Sequence, residues 1–164
     1  MPSIVRATNG VIDNQVTTVR IPTAYVLALR AAPFPLVPAI SVLTDRGSQS
    51  IIGPLDFTTN NYIIVPTMYT IRLLWNSVQY TNANTAIQLQ VNGINMSPSV
   101  ATPGVFTANA NRIQVFPAMT QGTAADWATI QNQPLVLANT GAAEFLAGDS
   151  DILVDVYYSA LKVS

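Results

Sequence analysis

Three aspartates lie close together near the C-terminus, in the stretch GDSDILVD at residues 148–155. Asp149 and Asp151 lie in a glycine-led turn, and Asp155 comes four residues later. A calcium site needs roughly six to eight oxygen ligands, and the glutamate that closes an EF-hand loop is absent from this stretch. Aspartates in turns also accept hydrogen bonds from nearby backbone amides. The pattern therefore favours a turn that starts a strand, with Asp155 on the less buried face of that strand.

Few other side chains have the types and neighbours that catalysis needs. Glu144, the only glutamate, lies beside Phe145, and with a second acid about 5–9 Å away it could serve in glycoside hydrolysis. A loop position explains it more simply. Asn139 takes the place of the essential aspartate in an otherwise protease-like NTG, and Lys162 is the only lysine. Cys and His are absent, which removes the thiol nucleophile and the commonest general base. We therefore predict no enzymatic activity, no cofactor and no metal.

Charge is unusually scarce along the whole chain. Only 9% of the 164 residues are charged, against about 25% in ordinary soluble domains, and the net charge is −1. Uncharged polar residues replace them, with 17 Thr, 13 Asn, 10 Ser and 9 Gln. Such a surface gives little repulsion between copies. The composition predicts that other chains cover much of this surface, since the cores of obligate interfaces are poor in charge.

The same composition excludes several kinds of partner. The seven Lys and Arg residues are scattered singly, so no basic stripe is available to follow a nucleic-acid backbone. No run of about 18 apolar residues predicts a membrane-spanning helix. The N-terminus lacks the basic and then apolar pattern of a secretory signal. We expect a chain made in a cytoplasm, with neither a nucleic acid nor a membrane as partner.

Eleven prolines and eight glycines divide the chain into short runs rich in Val, Ile, Thr, Tyr and Phe. The strands predicted from these runs are 23–30, 39–44, 50–57, 62–65 (ended by Pro66), 68–80, the alternating run around 87–91, 111–116, 134–139 and 151–163. One short helix is predicted within 124–133, starting near Thr123 as N-cap. In the run around 87–91, Ile87, Leu89 and Val91 alternate with a row of glutamines expected to face solvent.

This pattern predicts an all-β fold, a single jelly-roll-like β-sandwich of about eight antiparallel strands with at most one short helix. Residues 1–20 are polar and weakly patterned, which predicts an extended N-terminal arm. Residues 21–164 would then form the sandwich.

Aromatic residues are the best remaining candidates for contact with a partner. Trp75 shares the apolar face of its predicted strand and is expected in the core. Trp127 lies in the predicted helix, and Tyr157 lies on the opposite face of the last strand from Tyr158. Outward aromatics suit protein interfaces, and they suit sugar binding almost as well. The predicted interface residues are Ile4, Val5 and Arg6 in the arm, Trp127 and Tyr157.

The layout resembles a known kind of protein. A polar arm, Thr/Asn/Gln-rich alternating strands and the ending GDSDILVDVYY are similar to small β-sandwich structural proteins of virions, in particular capsid decoration (cement) proteins of tailed phages. Ser150 stands where that ending often has a second glycine. The resemblance implies a non-enzymatic protein, commonly a trimer, that binds a capsid shell and often uses an extended arm to do so.

The leading interpretation is therefore a virion decoration protein that forms a homo-oligomer, with a trimer favoured, and stabilises a shell. A small jelly-roll coat protein or a tail component is the first alternative. A carbohydrate-binding or adhesin head domain is the alternative from another class.

Overall fold

The computed structural model describes residues 11–37, 43–46, 49–52, 62–118 and 126–162. The strands are β1 (Val11–Ile21), β2 (Phe34–Val37), β3 (Leu43–Arg46), β4 (Gln49–Ile52), β5 (Tyr62–Leu74), β6 (Ala86–Val91), β7 (Ile94–Asn95), β8 (Val100–Ala101), β9 (Arg112–Pro117), β10 (Leu135–Asn139) and β11 (Asp151–Lys162). The helices are α1 (Thr23–Leu27), α2 (Trp127–Ile130) and the 3-10 helix η1 (Gly104–Thr107).

The strands form two antiparallel sheets and a separate β3–β4 hairpin. The first sheet has the order β1-β11-β5-β9, and the second has the order β2-β10-β6-β7, with β8 also paired to β6. Pairing is nested along the chain, because β1 pairs with β11, β2 with β10, β5 with β9 and β6 with β7. This nesting is the connectivity of a jelly roll, in which one long antiparallel ribbon is folded over on itself. The predicted all-β jelly-roll sandwich is confirmed.

One hydrophobic core lies between the two sheets. In β11 every second side chain is buried, from Ile152 to Ala160. In β6 the alternating Ile87, Leu89 and Val91 are all fully buried. Each large side chain buried in this way contributes about 1.5–3 kcal/mol to the free energy of folding.

The region after β1 is a helix, although alternation in 23–30 predicted a strand. Tyr25 and Val26 donate their backbone N–H groups to the carbonyl of Pro22, which closes the first turn of α1. Val26 and Leu29 are both fully buried, and their spacing of three is helical rather than extended. The sandwich therefore has two short α-helices where at most one was expected.

Strand β5 continues through Pro66, where the sequence predicted an end. Tyr157 pairs with Met68 and Tyr158 with Pro66, so Thr67 is an extra residue in a bulge. A bulge accepts proline because the local ladder is already interrupted. It also shifts the buried positions from even numbers (Ile64, Pro66) to odd numbers (Tyr69, Ile71, Leu73), so that both halves of the strand face the core.

Other boundaries also differ from the prediction. β5 ends at Leu74, and 75–80 is a loop that returns Tyr80 to the core. β3 and β4 overlap the predicted strands 39–44 and 50–57, whose other residues lie outside the described part. The helix α2 has one turn, and its N-cap is Asp126, whose side chain accepts from the N–H of Ala128. The predicted cap, Thr123, lies outside the described residues.

The predicted N-terminal arm and glutamine row also need correction. Residues 11–20 belong to β1 and pair with β11, so only residues 1–10 are left for an arm, and they lie outside the described residues. Gln88 is buried instead of facing solvent, because its Nε2 donates to the carbonyl of Ser97 in a loop that covers β6.

Candidate interaction surface

Asp149 holds the loop that follows β5. Its carboxylate accepts hydrogen bonds from the backbone N–H groups of Ser77 (3.0 Å) and Val78 (2.8 Å), and also from the side chain of Asn76 (2.9 Å). The hydroxyl of Ser77, followed by these amides, holds the pKa of Asp149 below its ordinary value. The aspartate is therefore a turn residue that binds backbone amides, as the sequence predicted.

Asp151, the first residue of β11, joins the end of β1 to α1. Arg20 donates to one carboxylate oxygen through both Nε and Nη2, and the N–H of Thr23 donates to the other at 3.1 Å. The hydrogen bond from Arg20 is the main cause that lowers the pKa of Asp151. The carboxylate thus satisfies the first free amide of α1, for which Pro22 offers no capping side chain.

Asp155 lies at the centre of the first sheet and binds both neighbouring strands. Arg72 of β5 donates to its two oxygens at 2.9 and 2.8 Å. Thr70 of β5 donates at 2.7 Å, and Thr18 of β1 donates at 2.6 Å. Burial would raise the pKa of Asp155, but the hydrogen bonds from Arg72, Thr18 and Thr70 outweigh it and hold the pKa below its ordinary value.

These three aspartates make the protein less stable in acid. Their pKa values are lowered by folding, so the stability they contribute is complete above the unfolded value of about 3.9 and is lost as the pH falls below it. We expect the midpoint of urea unfolding to change little from pH 7 to 5 and to fall steeply below about pH 4. At pH 7, Asp155→Asn should cost about 1–2 kcal/mol, because an amide cannot accept from Arg72 on both sides.

The variant also provides the control for acid sensitivity. Asp155→Asn should weaken the loss of stability below pH 4, since one of the groups that bind protons on unfolding is gone. An unchanged pH dependence in this variant would contradict the assigned role of Asp155.

The remaining candidates for chemistry also have structural contacts. The carboxylate of Glu144 accepts from the backbone N–H of Arg30 at 3.2 Å. Asn139 is buried; its side-chain oxygen accepts from the N–H groups of Ala86 and Gly141, and its amide donates to the carbonyl of Ala143. Within the residues that the structure describes, no three His, Cys, Asp or Glu residues are grouped so that they could hold a metal ion.

Loops close one end of the sandwich over a cluster of three aromatic rings, which we call the aromatic plug: Tyr80, Phe106 and Phe145. The rings of Phe106 and Phe145 stack at 4.3 Å between centroids, and Tyr80 meets each of them edge-on. The hydroxyl of Tyr80 donates to the carbonyl of Ser150. Gly148 lies directly against the ring of Tyr80, where a β-carbon would overlap it. All three rings are buried, and each contacts the other two.

The side of the first sheet that faces away from the second sheet, the outer face, is the best candidate for contact with a partner. Its centre is polar, and two ion pairs lie on it among the described residues, Arg72 with Asp155 and Arg20 with Asp151. Large apolar side chains lie at both of its edges, with Val16 on β1 56% exposed and Ile113 and Val115 on β9 60% and 59% exposed. A surface with paired charges and apolar edges is suited to contact with protein.

Of the two predicted interface residues that the structure describes, Tyr157 lies on this face and Trp127 lies on α2. Tyr157 is half-buried there and lines a shallow depression of about 320 Å³ with Val16 and Met68, while Tyr158 is buried on the other side of β11. Trp127 is 60% exposed on α2, which belongs to neither sheet. Ile4, Val5 and Arg6 lie outside the described residues. Their roles in an interface stay predictions. Trp75 packs against the core, as expected.

Sequence reasoning missed Ile113 and Val115, although NRIQVF was predicted as an alternating strand. In that run Phe116 is buried, and residues 113 and 115 must then face the other way. Two apolar residues in phase on the outward side of an alternating strand were the signal for an exposed apolar edge.

The fold therefore defines the class, a single jelly-roll β-sandwich. Neither a family model nor a curated protein matches the sequence. Among solved structures, a KBV particle activated at acidic pH is 12% identical, with a TM-score of 0.27, covering 100% of this chain and 76% of that chain. An Israeli acute paralysis virus particle heated to 63 degrees is 10% identical, with a TM-score of 0.28, covering 95% and 70%. The pentamer of that virus is 12% identical, with a TM-score of 0.26, covering 93% and 70%. TM-scores this far below 0.5 carry no argument about function.

In the parts of the chain that the structure describes, no helix has the length and apolar character to cross a membrane.

Proposed function

We propose that this chain is a non-enzymatic structural protein of a virus particle, acting through contacts with copies of itself and with a capsid shell. The observation that carries the proposal is the outer face, where the described ion pairs join Arg72 to Asp155 and Arg20 to Asp151 and exposed apolar side chains remain. Such a face gains free energy by losing water to another protein surface, and its described acids, Asp151 and Asp155, already accept hydrogen bonds from within the chain.

The side chains that could support catalysis favour the same function. Asp149, Asp151 and Asp155 each accept three or more hydrogen bonds that hold loops and strands in place. Their pKa values are lowered, so they are ionised at neutral pH, and a general acid would need a raised value. These residues stabilise a rigid scaffold, which suits a protein with a mechanical role.

The jelly-roll connectivity and the scarcity of charge add further support. Jelly rolls recur in viral capsids as well as in lectins and cupins. The decoration role suggested by the resemblance to cement proteins is one finer form of this proposal. A small coat protein is the second form, and the nested strand pairing favours it because this connectivity is itself a shell-building module. In either form the chain is located in the virion and is made in the cytoplasm of the host.

Assembly of the purified full-length chain tests the proposal. We expect light scattering to show mass rising with concentration from about 10 µM upwards, and electron microscopy to show closed shells for a coat protein or small discrete oligomers for a decoration protein. Discrete oligomers should then bind to shells of the matching virus, and a trimer is the expected species. A protein that stays monomeric at about 1 mM and binds no shell would overturn it.

A glycan array distinguishes the rival carbohydrate-binding function. Binding that is lost in Trp127→Ala and kept in Trp75→Phe would support the rival, because Trp127 is the exposed tryptophan of the two.

A further inference from the structure

Strand β9 is an edge of the first sheet, and its outward backbone groups can be identified. β9 pairs with β5 on one side, and among the described residues no strand pairs with its other side. The N–H of Ala118 donates to the carbonyl of Thr67, towards β5. Because backbone groups alternate along a strand, those of Phe116 and Gln114 also point to β5, and those of Val115 and Ile113 point outward.

This edge has few of the devices that protect natural sheet edges. Between Ile113 and Pro117 there is no charged residue and no bulge, and the pairing with β5 is regular. Pro117 limits the edge at one end, since it has no N–H and occupies an outward position. The two outward positions before it carry the exposed side chains of Ile113 and Val115. An edge of this kind is a template for another strand.

We propose that two copies of the chain join through their β9 edges, around a two-fold axis at Gln114, into one continuous eight-stranded sheet. In this register Ile113 of each copy lies opposite Val115 of its partner. Each of these two pairs exchanges both of its N–H···O=C bonds, so four new bonds use every outward N–H of Ile113 and Val115 in both copies. Pro117 is not needed for any of them.

Several features favour a second copy of this chain over a foreign strand. The pattern of outward groups is its own complement under a two-fold rotation, as a contact between identical subunits requires. The pairs of Ile113 with Val115 place two apolar contacts on the outer face and continue its apolar edge. Arg112 is the only charge on the strand, and in this register it lies opposite the uncharged Phe116 of the partner.

Space beside the strand is also available. A groove of about 430 Å³ separates η1 from the start of β9 and is lined by Val105, Arg112 and Gln114, among others. The side chain of Gln114 points towards this groove and accepts from the N–H of Val105 at 3.2 Å. The paired strands would place the two Gln114 side chains next to each other in that space.

The β9 contact rests on the self-association in the proposed function, and it is one surface through which copies of the chain would associate. An edge contact of two strands buries less than the roughly 1,200 Å² of a standard interface, so it is weak alone and gains from repetition in an assembly. A two-fold contact at β9 leaves the rest of the surface free for a three-fold contact.

Cross-linking through single cysteines tests the register, and the chain has no native cysteine to interfere. Opposed positions in a hydrogen-bonded pair have Cα atoms about 5.5 Å apart, within the range for a disulfide. The Cα atoms of the two Ile113 residues in such a dimer would be roughly 8–9 Å apart, because they are offset by two residues along the paired strands. We therefore expect an equimolar mixture of Ile113→Cys and isotope-labelled Val115→Cys to give about tenfold more mixed disulfide than either variant gives alone.

The matched control is Val16→Cys, which is exposed to a similar extent on the opposite edge of the same sheet. It should cross-link neither with itself nor with Ile113→Cys above the background. Equal cross-linking in all combinations would overturn the register and the two-fold contact.

A second variant removes the contact and preserves the fold. Val115→Pro deletes an N–H that points away from β5, so the internal ladder keeps its bonds. Val115→Thr, which keeps this N–H, is its control. At matched thermal stability we expect Val115→Pro to lower the association constant measured by sedimentation about tenfold or more and Val115→Thr to leave it within about twofold.

The outcomes separate this inference from the proposed function. Assembly that continues unchanged in a folded Val115→Pro would overturn the β9 contact and leave the structural role intact. Shell binding could be lost in Val115→Pro while the cysteine variants show no cross-linking between copies. That result would mean that the β9 edge binds another protein, and it would overturn a second copy as the partner. A chain that neither assembles nor cross-links overturns both.

Discussion

Replacing Gly148 with alanine is expected to destabilise the protein by about 2–3 kcal/mol. The added β-carbon would overlap the ring of Tyr80, which is 2% exposed and held by the two phenylalanines of the aromatic plug. The ring cannot easily move aside, because it is buried, its hydroxyl is bonded to the carbonyl of Ser150, and Phe106 and Phe145 contact it at a steep angle. The free energy of unfolding from urea titration, with the slope checked for two-state behaviour, measures this cost.

Gly104→Ala is the matched control. A β-carbon at Gly104 meets nothing within 4 Å, so the change should alter the free energy of unfolding by less than about 0.5 kcal/mol. Two variants of equal stability would show that the contact between Gly148 and Tyr80 does not constrain the fold.

Replacing Phe106 with alanine should have the largest effect on stability, about 3–5 kcal/mol. Phe106 is fully buried and stacks on Phe145, so its removal leaves a cavity that both the ring of Phe145 and that of Tyr80 border. Tyr80 is held by its hydrogen bond to Ser150, and the loops that carry Tyr80 and Phe145 are joined by hydrogen bonds between Thr81 and Leu146, so the two rings cannot collapse to fill the space.

Phe106→Leu shows how much of the lost free energy of unfolding comes from the packing of the aromatic ring and how much from the loss of buried apolar surface. It keeps an apolar side chain of smaller volume and should cost only about 1–1.5 kcal/mol. Val78→Ala, at a loop position that is 44% exposed, should stay within about 0.5 kcal/mol of the parent. A loss for Phe106→Ala no larger than that for Val78→Ala would mean that the aromatic plug contributes little to stability.

The parts of the fold that the sequence predicted well are those where local pattern and tertiary burial agree. β11 alternates buried and less buried residues, and in β6 and β10 the large apolar side chains recur at every second position (Ile87, Leu89 and Val91; Leu135 and Leu137) and are fully buried. Asp149 could be assigned to a turn because a glycine precedes it and apolar alternation follows. In these segments the period of two leaves one face for the core and one for the surface.

The parts that could not be predicted depend on contacts between distant segments. The helix α1 receives its cap from Asp151, 128 residues later, and no local signal indicates it. The change of buried face at Pro66 requires the bulge opposite Tyr157 and Tyr158, which only the pairing of β5 with β11 reveals. Gln88 is buried because Ser97 reaches back over it. A loop closure of this kind leaves no period in the sequence.

On the outer face, too, some features follow from the local sequence pattern and others only from contacts between distant segments. The outward position of Tyr157 followed from alternation alone. That β9 forms an edge, with Ile113 and Val115 exposed on it, follows from the order of the strands in the sheet. One sequence gives the alternation of a strand but does not say which strand has a neighbour on only one side.

The position of β11 has a consequence for how the chain folds during synthesis. β11 is an inner strand of the first sheet and is synthesised after all the other described strands, and it pairs with both β1 and β5. Until residues 151–162 have left the ribosome, β1 and β5 lack the strand that lies between them, and the pairing of Ile21 with Ile152 must span almost the whole chain. The first sheet therefore cannot be completed before residues 151–162 are made, and its folding is slow for the size of the sheet, since closure of such long loops precedes any stabilising contact.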